Sequence, residues 1–423
     1  MDTSSPPALD RDVLLDRYRR VRRCTQDLAA PLAPEDQVIQ SMPDASPTKW
    51  HLAHTTWFFE TFLLKAFQPG YRVFNPAYGY LFNSYYEALA PFFHRPNRGM
   101  LSRPTVSEVF DFRDAVDERM AAFINGASDN AWTEAAPLIR LGLHHEQQHQ
   151  ELLLTDVKHL LSRNPLRPAY REDLLTGGGR KAAPLTWLPF DGGLREIGHD
   201  GEGFAFDNEG PRHKVYIEPF RLASRPATSG EFLAFIEDGG YGRAEFWLSN
   251  GWATVKEKGW TSPLYWHRHD DGRWTEFTLG GERPLDLEAP ASHLSFYEAD
   301  AFARWMGKRL PTEAEWEVAA ASLPVTGNLL EAGILHPLAA SAGDGVVQAY
   351  GDVWEWTASA YAPYPGFKPA PGPVAEYNAK FMCEQMVLRG GSCVTPPGHV
   401  RATYRNFFPC TAQWQFTGVR LAE

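Results

Sequence analysis

Apolar residues recur at three- and four-residue intervals in four stretches of the first 165 residues, and that period predicts helices. From Asp10 to Ala29, Val13, Leu14, Tyr18 and Val21 share one side. A second helix is expected to start at Pro47 and Thr48, a proline and a capping residue where helices begin, and to run through KWHLAHTTWFFETFLLKAF. His54 falls on the side of Trp50, Trp57 and Phe58 and looks inward. Gln68 to Pro104, dense in Pro, Gly and Asn, reads as a long connection containing FNSYYEAL and HRPNRGMLSRP. Thr105-Val106-Ser107-Glu108 is a capping box that starts a third helix, ending near Ile124. The fourth contains Leu141 to Asp156, LGLHHEQQHQELLLTD, and stops before Asn164-Pro165. Four helices with one long insertion predict a bundle whose core can hold a metal between facing helices.

The pattern changes between Pro165 and Pro189, where GGGRKAAP reads as an exposed linker. Residues 1–165 are therefore expected as the bundle, 166–188 as linker, and 189–423 as a second domain. There, short strand-like runs (HKVYIEPFRLA, MVLRGGSCV, GVRLA) alternate with turns rich in Gly, Pro and Trp. Helices are expected at Ser229–Glu237 and Ser295–Trp305. The fold class is multidomain, α followed by α+β.

A chain of 423 residues with 43% hydrophobic content is long enough for two or three domains with ample core. No run approaches 18 uninterrupted apolar residues, and the N-terminus lacks the basic-then-apolar order of an export signal, so no membrane span and a cytoplasmic location are expected. The formal charge of −11 argues against nucleic acid as a partner, because that affinity rests on clustered Lys and Arg. Small molecules are the expected partners; a homo-oligomer is compatible with the sequence. Cys24, Cys383, Cys393 and Cys410 show no C-x-x-C spacing, which fits a reducing compartment. The 14 Trp, 16 Tyr and 26 Phe supply ring faces for cationic ligands.

His145 and His149 stand four residues apart, hence on one helix face, where both imidazoles can present nitrogens to one divalent metal. Glu151 lies close enough to orient one of them. Three readings stay open at this level. The histidines can be polar decoration. HEQQH also satisfies the H-E-x-x-H pattern of zinc peptidases with Glu146 as general base. The third reading is a redox iron site, which needs a further ligand and open coordination positions.

The blocks SHLSFYEADAFARWMGKRLPTEAEWEVAA, GDVWEWTAS and LRGGSCV resemble the formylglycine-generating-enzyme/sulfatase-modifying-factor fold, a C-type-lectin-like architecture. Within them Gly307–Glu317, Trp354–Thr357 and Arg389–Ser392 read as fold-defining core and turn residues. Cys383, Cys393 and Cys410 do not match the copper-binding cysteine pair of formylglycine-generating enzymes, so the fold is expected without that chemistry. A DinB-like four-helix bundle bearing Leu52-Ala53-His54 and His145-x-x-x-His149-x-Glu151, followed by such a domain, resembles the ergothioneine-biosynthesis sulfoxide synthases over nearly the whole chain.

That resemblance implies a mononuclear non-haem iron(II) enzyme, with Fe(2+) held by His54, His145 and His149, and His51 and His144 outside the ligand set. The family reaction uses O2 to join a thiol sulfur to C2 of the imidazole of hercynine, N-α-trimethylhistidine, and to oxidise the sulfur to a sulfoxide. In one branch the catalytic tyrosine lies in the first-domain loop. FNSYYEAL resembles that branch, which makes Tyr86 or Tyr85 the proton donor. Gln148 resembles the family residue that hydrogen-bonds the substrate imidazole. Phe407 and Phe408, with Asn406, would receive the trimethylammonium and carboxylate of hercynine. Arg95 and Arg98 would hold the carboxylate of the thiol substrate. Such a site is expected between the domains, as ligand sites often are.

Family members that use γ-glutamylcysteine carry Asp two residues after the Asn of the R-N-x-x segment, and Arg four residues beyond. Those positions here are Phe408 and Ala412, so L-cysteine is the expected sulfur donor. A zinc hydrolase or thiol transferase built on HEQQH, and a γ-glutamylcysteine-using or ovothiol-type sulfoxide synthase, are the alternatives.

Overall fold

The computed structural model describes residues 10–84, 86, 91–174, 179–369 and 378–423 and divides the chain into two compact units, Met1–Arg163 and Asn164–Glu423. The expected fold class holds: a helical unit precedes a mixed one.

Four long helices build the first unit: α1 Arg11–Ala29, α2 Thr48–Phe59, α3 Val106–Gly126 and α4 Asp129–Arg163. Their starts follow side-chain chemistry. Asp10 accepts from the N–H of Val13, and Thr105 and Glu108 form the expected capping box. After Phe59, α2 widens into a π-turn at Glu60–Leu64, a deviation that is frequent at functional sites.

Residues of α2 and α4 meet in antiparallel order along one seam. Gly142 faces Phe58 and Phe59, His145 faces His54, and His149 faces His51. A Cβ at position 142 would stand 2.7–2.9 Å from those phenyl rings, so only glycine lets the two helices come this close. The 35-residue α4 begins twelve residues ahead of the apolar stretch that announced it, and it passes through Pro137. No helix among the described residues is long and apolar enough to cross a membrane.

Eleven short strands occur among the described residues of the second unit: β1 Trp187–Phe190, β2 Gly193–Ile197, β3 His213–Ile217, β4 Phe220–Ala223, β5 Trp266–Arg268, β6 Trp274–Thr278, β7 Gly281–Pro284, β8 Trp354–Ala360, β9 Gln385–Arg389, β10 Asn406–Pro409 and β11 Thr417–Gly418. The largest sheet has the order β10-β9-β8-β11, with β11 parallel to β8. HKVYIEPFRLA forms two strands rather than one, because Pro219 cannot donate to a ladder; β3 pairs with β2 and β4 with β1. β9 stops at Gly390 and Gly391, whose φ of +100° and +87° suit residues without a Cβ.

Four helices accompany the strands: α5 Ser229–Glu237, α6 Ser249–Lys258, α7 Phe296–Trp305 and α8 Glu313–Ala320. The motif blocks brace this unit from inside. Glu355 of WEWT, fully buried, accepts from Trp316 Nε1 at 2.7 Å and from both Nε and Nη2 of Arg420. Arg389 bridges Glu313 and Glu317 at 3.0 Å each. In the segment expected as linker, the N–H groups of Tyr170 and Arg171 donate to Leu279, and that of Ala183 donates to Ala340.

Candidate metal centre

Helix α2 brings in His54, and one turn of α4 brings in His145 and His149. Their nitrogens lie within 4.8 Å of one another. The Nε2 atoms of His54 and His145 are 3.2 Å apart. Metal–nitrogen bonds of about 2.0–2.1 Å at a right angle put two donors roughly 3 Å apart, so this pair suits a common first-row ion. No two of the rings stack: their planes make angles of 82°, 56° and 81°. They fan around one point.

Burial sets their charge. Desolvation holds all three imidazoles below the ordinary histidine range, His145 down to about 3, and at His54 and His149 neighbouring imidazoles push the same way. Each is neutral near pH 7 and keeps a lone pair. His54 Nδ1 donates to the carbonyl of Phe82 at 2.6 Å, which leaves its Nε2 as the acceptor that faces His145. The donor set therefore fits a divalent metal: three neutral nitrogens converge, and the outward nitrogen of His54 is already engaged.

Aromatic and cationic groups surround this centre. Trp50 and Trp57 flank the His54 ring at centroid distances of 4.5 and 5.6 Å, both nearly parallel to it. Arg98 is buried with its guanidinium carbon 3.3 Å from the Trp50 centroid, and it donates to Ser46 Oγ at 2.9 Å and Ser84 Oγ at 3.0 Å. Its charge contributes to keeping His54 and His149 neutral. Tyr86 is fully buried, with its ring against Trp57 and Phe62; Asn83 clasps its backbone through two 3.2 Å hydrogen bonds. Tyr85 lies outside the described residues. Gln148 is partly exposed beside His149. Arg95 is exposed, and its carbonyl accepts from Gln40.

The remaining polar residues of these helices have other engagements. Glu146 points away from the three histidines into a buried cluster, where it accepts from Arg22 at 3.0 Å, from Thr25 at 2.6 Å and from Arg113. Burial alone would raise its carboxyl, but Arg113 and Arg22 hold it down to about 2. A carboxylate committed to two arginines is a poor general base, which removes the role that the peptidase pattern requires. His144 meets Arg17 at 2.9 Å. His51 is tied to the site in a way the helix pattern does not announce: its Nδ1 is 2.9 Å from His149 Nδ1 and its Nε2 is 3.1 Å from Asp156 Oδ2. The signal was nonetheless in the spacing, since Asp156 follows His149 by seven residues, two turns along the same face.

In the second unit, Asn406, Phe407 and Phe408 belong to β10 and are partly exposed. Phe407 stacks on Tyr361 at 4.0 Å, Phe408 meets Trp414 edge-on, and the Asn406 side chain accepts from the N–H of Phe407. Arg405 ahead of them is buried in a two-pronged pair with Glu313, which fixes the start of the strand.

Residues 17–153 match the model of the DinB superfamily, and residues 183–329 and 338–423 match that of the sulfatase-modifying factor enzyme 1-like domain. The hercynine oxygenase of Mycolicibacterium smegmatis is 37% identical over 311 residues, which cover 67% of this chain and 70% of that one. Those of Mycolicibacterium thermoresistibile and Mycobacterium tuberculosis are 33% and 32% identical, covering 90% of this chain and 88% and 91% of theirs. With this identity running through both domains, the chain belongs to the hercynine oxygenases, a family of enzymes.

Proposed function

We propose that this enzyme joins the sulfur of L-cysteine to C2 of the hercynine imidazole, giving S-(hercyn-2-yl)cysteine S-oxide for ergothioneine biosynthesis in the cytoplasm. The stoichiometry closes with one O2: the thiol S–H and the imidazole C2–H are broken, C–S and S–O bonds form, and the second oxygen atom leaves as water. The observation that carries the reading is the convergence of three neutral imidazoles, from His54, His145 and His149, on one point. Iron(II) held there supplies electrons for O2 and a common template for thiolate and imidazole.

The protein's own groups do the rest. Arg98, a desolvated guanidinium close to the histidines, pairs with the cysteine carboxylate, and Arg95 is its second candidate. Gln148 hydrogen-bonds the hercynine imidazole and sets its C2 toward sulfur. Tyr86, or Tyr85 beside it, donates the proton during oxygen reduction; the buried ring of Tyr86 against Trp57 supports a fixed phenol. Phe407 and Phe408 offer ring faces to the trimethylammonium group, and Asn406 a dipole to its carboxylate.

The test is the mass of the product formed by Fe(II)-loaded protein with hercynine and cysteine, in air and under strict anaerobiosis. The expected result is the coupled sulfoxide in air only. Turnover without O2, or equal turnover with zinc, would replace this reading by a hydrolase or transferase.

A further inference from the structure

His51 is the one histidine of the WHLAH segment that the metal reading leaves without a task, yet it is only 3% exposed and both its nitrogens are engaged. We infer that His51 and Asp156 form a positioning chain that orients His149 toward the metal. The inference rests on the metal site proposed above and goes beyond it in assigning two residues outside the ligand set.

The hydrogen-bond directions are fixed from one end. Asp156 Oδ2 accepts from the backbone N–H of Ser46 at 2.8 Å and, as a carboxylate, can only accept from His51 Nε2 at 3.1 Å. The bond to Asp156 therefore places a proton on His51 Nε2, and the tautomer with that single ring proton carries a lone pair on Nδ1. At 2.9 Å that lone pair demands a donor, which makes His149 Nδ1 the protonated nitrogen. The lone pair of His149 is then on Nε2, the nitrogen left for the metal.

The arrangement extends the carboxylate–histidine–metal pattern by one imidazole. Its anchor is the backbone amide of Ser46, ahead of α2, so the chain also ties the register of α2 to that of α4. His54 is oriented differently, by the Phe82 carbonyl. Each helix thus contributes a ligand whose outward nitrogen is held by a separate group.

Co(II) alone is the probe. Its dissociation constant is measured by chelator competition, together with its visible d–d absorption, on full-length protein and variants whose folding is checked by circular dichroism. His51→Ala and Asp156→Ala should each weaken Co(II) about 10- to 100-fold, the usual effect of removing a group that orders a ligand. His51→Asn keeps an acceptor oxygen near the Nδ1 position and should recover most of the loss. In that background Asp156→Ala should cost little further Co(II) affinity, because Asp156 reaches His149 only through the imidazole, and loss of its bond to Ser46 is read separately as a lower thermal midpoint. Unchanged Co(II) affinity and spectrum in folded His51→Ala, or an Asp156→Ala penalty of equal size in the His51→Asn background, would overturn the chain. His149→Ala separates the two levels: if it too binds Co(II) like the parent, the metal site itself is wrong, whereas its loss beside an intact His51→Ala sinks only the positioning chain.

Discussion

His54 Nδ1 lies 2.6 Å from the carbonyl oxygen of Phe82, so a metal-site nitrogen on α2 is oriented by the backbone of the connection that carries Tyr86. That carbonyl is four residues from Tyr86, whose backbone Asn83 clasps in both directions. Orientation of the imidazole and placement of the phenol are consequently one structural problem. Both depend on the order of a short stretch between α2 and α3.

The ligand assignment yields the first prediction. His54→Ala, His145→Ala and His149→Ala should each abolish iron binding, measured as metal content after anaerobic Fe(II) loading and desalting. His144→Ala should retain iron, because His144 faces Arg17. An iron-replete His54→Ala protein would overturn the assignment.

For the proton donor, Tyr86→Phe should leave hercynine and cysteine binding intact while slowing sulfoxide formation or diverting turnover to oxidation of the thiol alone. Loss of one positioned proton donor typically costs about 10²- to 10⁴-fold in rate. Tyr85→Phe is its necessary companion. Product ratios by mass spectrometry decide the matter, and an unchanged ratio and rate in the double variant would take both tyrosines out of the mechanism.

The seam between α2 and α4 is legible in the chain because a 3.6-residue period puts Gly142, His145, His149 and Asp156 on one face. His51 is harder to read: three residues before His54, it looks like a rival ligand that only the family resemblance sets aside, and its 2.9 Å approach to His149 has no signature in the sequence. In the second unit the period-two signal largely fails. Thr275, Glu276, Phe277 and Thr278 of β6, and Trp354 to Thr357 of β8, are all buried, so both faces of these strands are covered and no alternation remains. Helix α8 is hidden for the same reason, since Glu313, Glu315 and Glu317 are buried, two of them against arginine 389. Polar residues that brace an interior read, in a sequence, like surface.

Gly142 gives a prediction about geometry rather than chemistry. Gly142→Ala places a methyl group 2.7–2.9 Å from the rings of Phe58 and Phe59, and Phe58 in turn packs on His145. Overpacking of this kind costs about 1–3 kcal/mol and forces the helices apart. Alanine favours an isolated helix, so a stability gain is the naive expectation. The expected outcome is the opposite sign, a lower thermal midpoint together with weaker Co(II) binding.

Glu313 should make the second unit acid-labile. Burial raises its carboxyl, but Arg389 and Arg405, bonded to it at 2.9–3.0 Å, outweigh that and hold it below its usual value. A carboxyl depressed in the folded state adds stability above the unfolded value, near 4.5, and that stability fades as pH falls through the folded one. Denaturant midpoints measured from pH 7 to pH 3 should therefore fall in the parent protein. Glu313→Gln, which leaves the buried Arg405 guanidinium without a counter-charge and Arg389 with Glu317 alone, should already be about 3–5 kcal/mol less stable at pH 7 and change less below pH 5. Parallel curves for the two proteins would show that Glu313 does not govern the acid limb.

The last prediction concerns the sulfur donor. Hercynine oxygenases that take γ-glutamylcysteine are expected to grip its glutamyl head with an Asp and an Arg at the positions that are Phe408 and Ala412 here. Phe408 is a partly exposed ring against Trp414, and Ala412 is buried at 3% exposure. Neither a ring edge nor a methyl group can neutralise an ammonium or a carboxylate, and desolvating those charges unpaired costs several kcal/mol. Free cysteine avoids that cost, since its own carboxylate can be met by Arg98. One lost charge-assisted contact is worth about 1.5–3 kcal/mol, or roughly ten- to a hundredfold in affinity. In a competition at equal concentrations with hercynine present, cysteine should win by at least that factor in kcat/KM. Phe408→Asp combined with Ala412→Arg should narrow the gap by raising the γ-glutamylcysteine rate. If the γ-glutamyl sulfoxide dominates the products of the unmodified enzyme, Phe408 and Ala412 do not set donor choice, and a different cation must hold the glutamyl carboxylate.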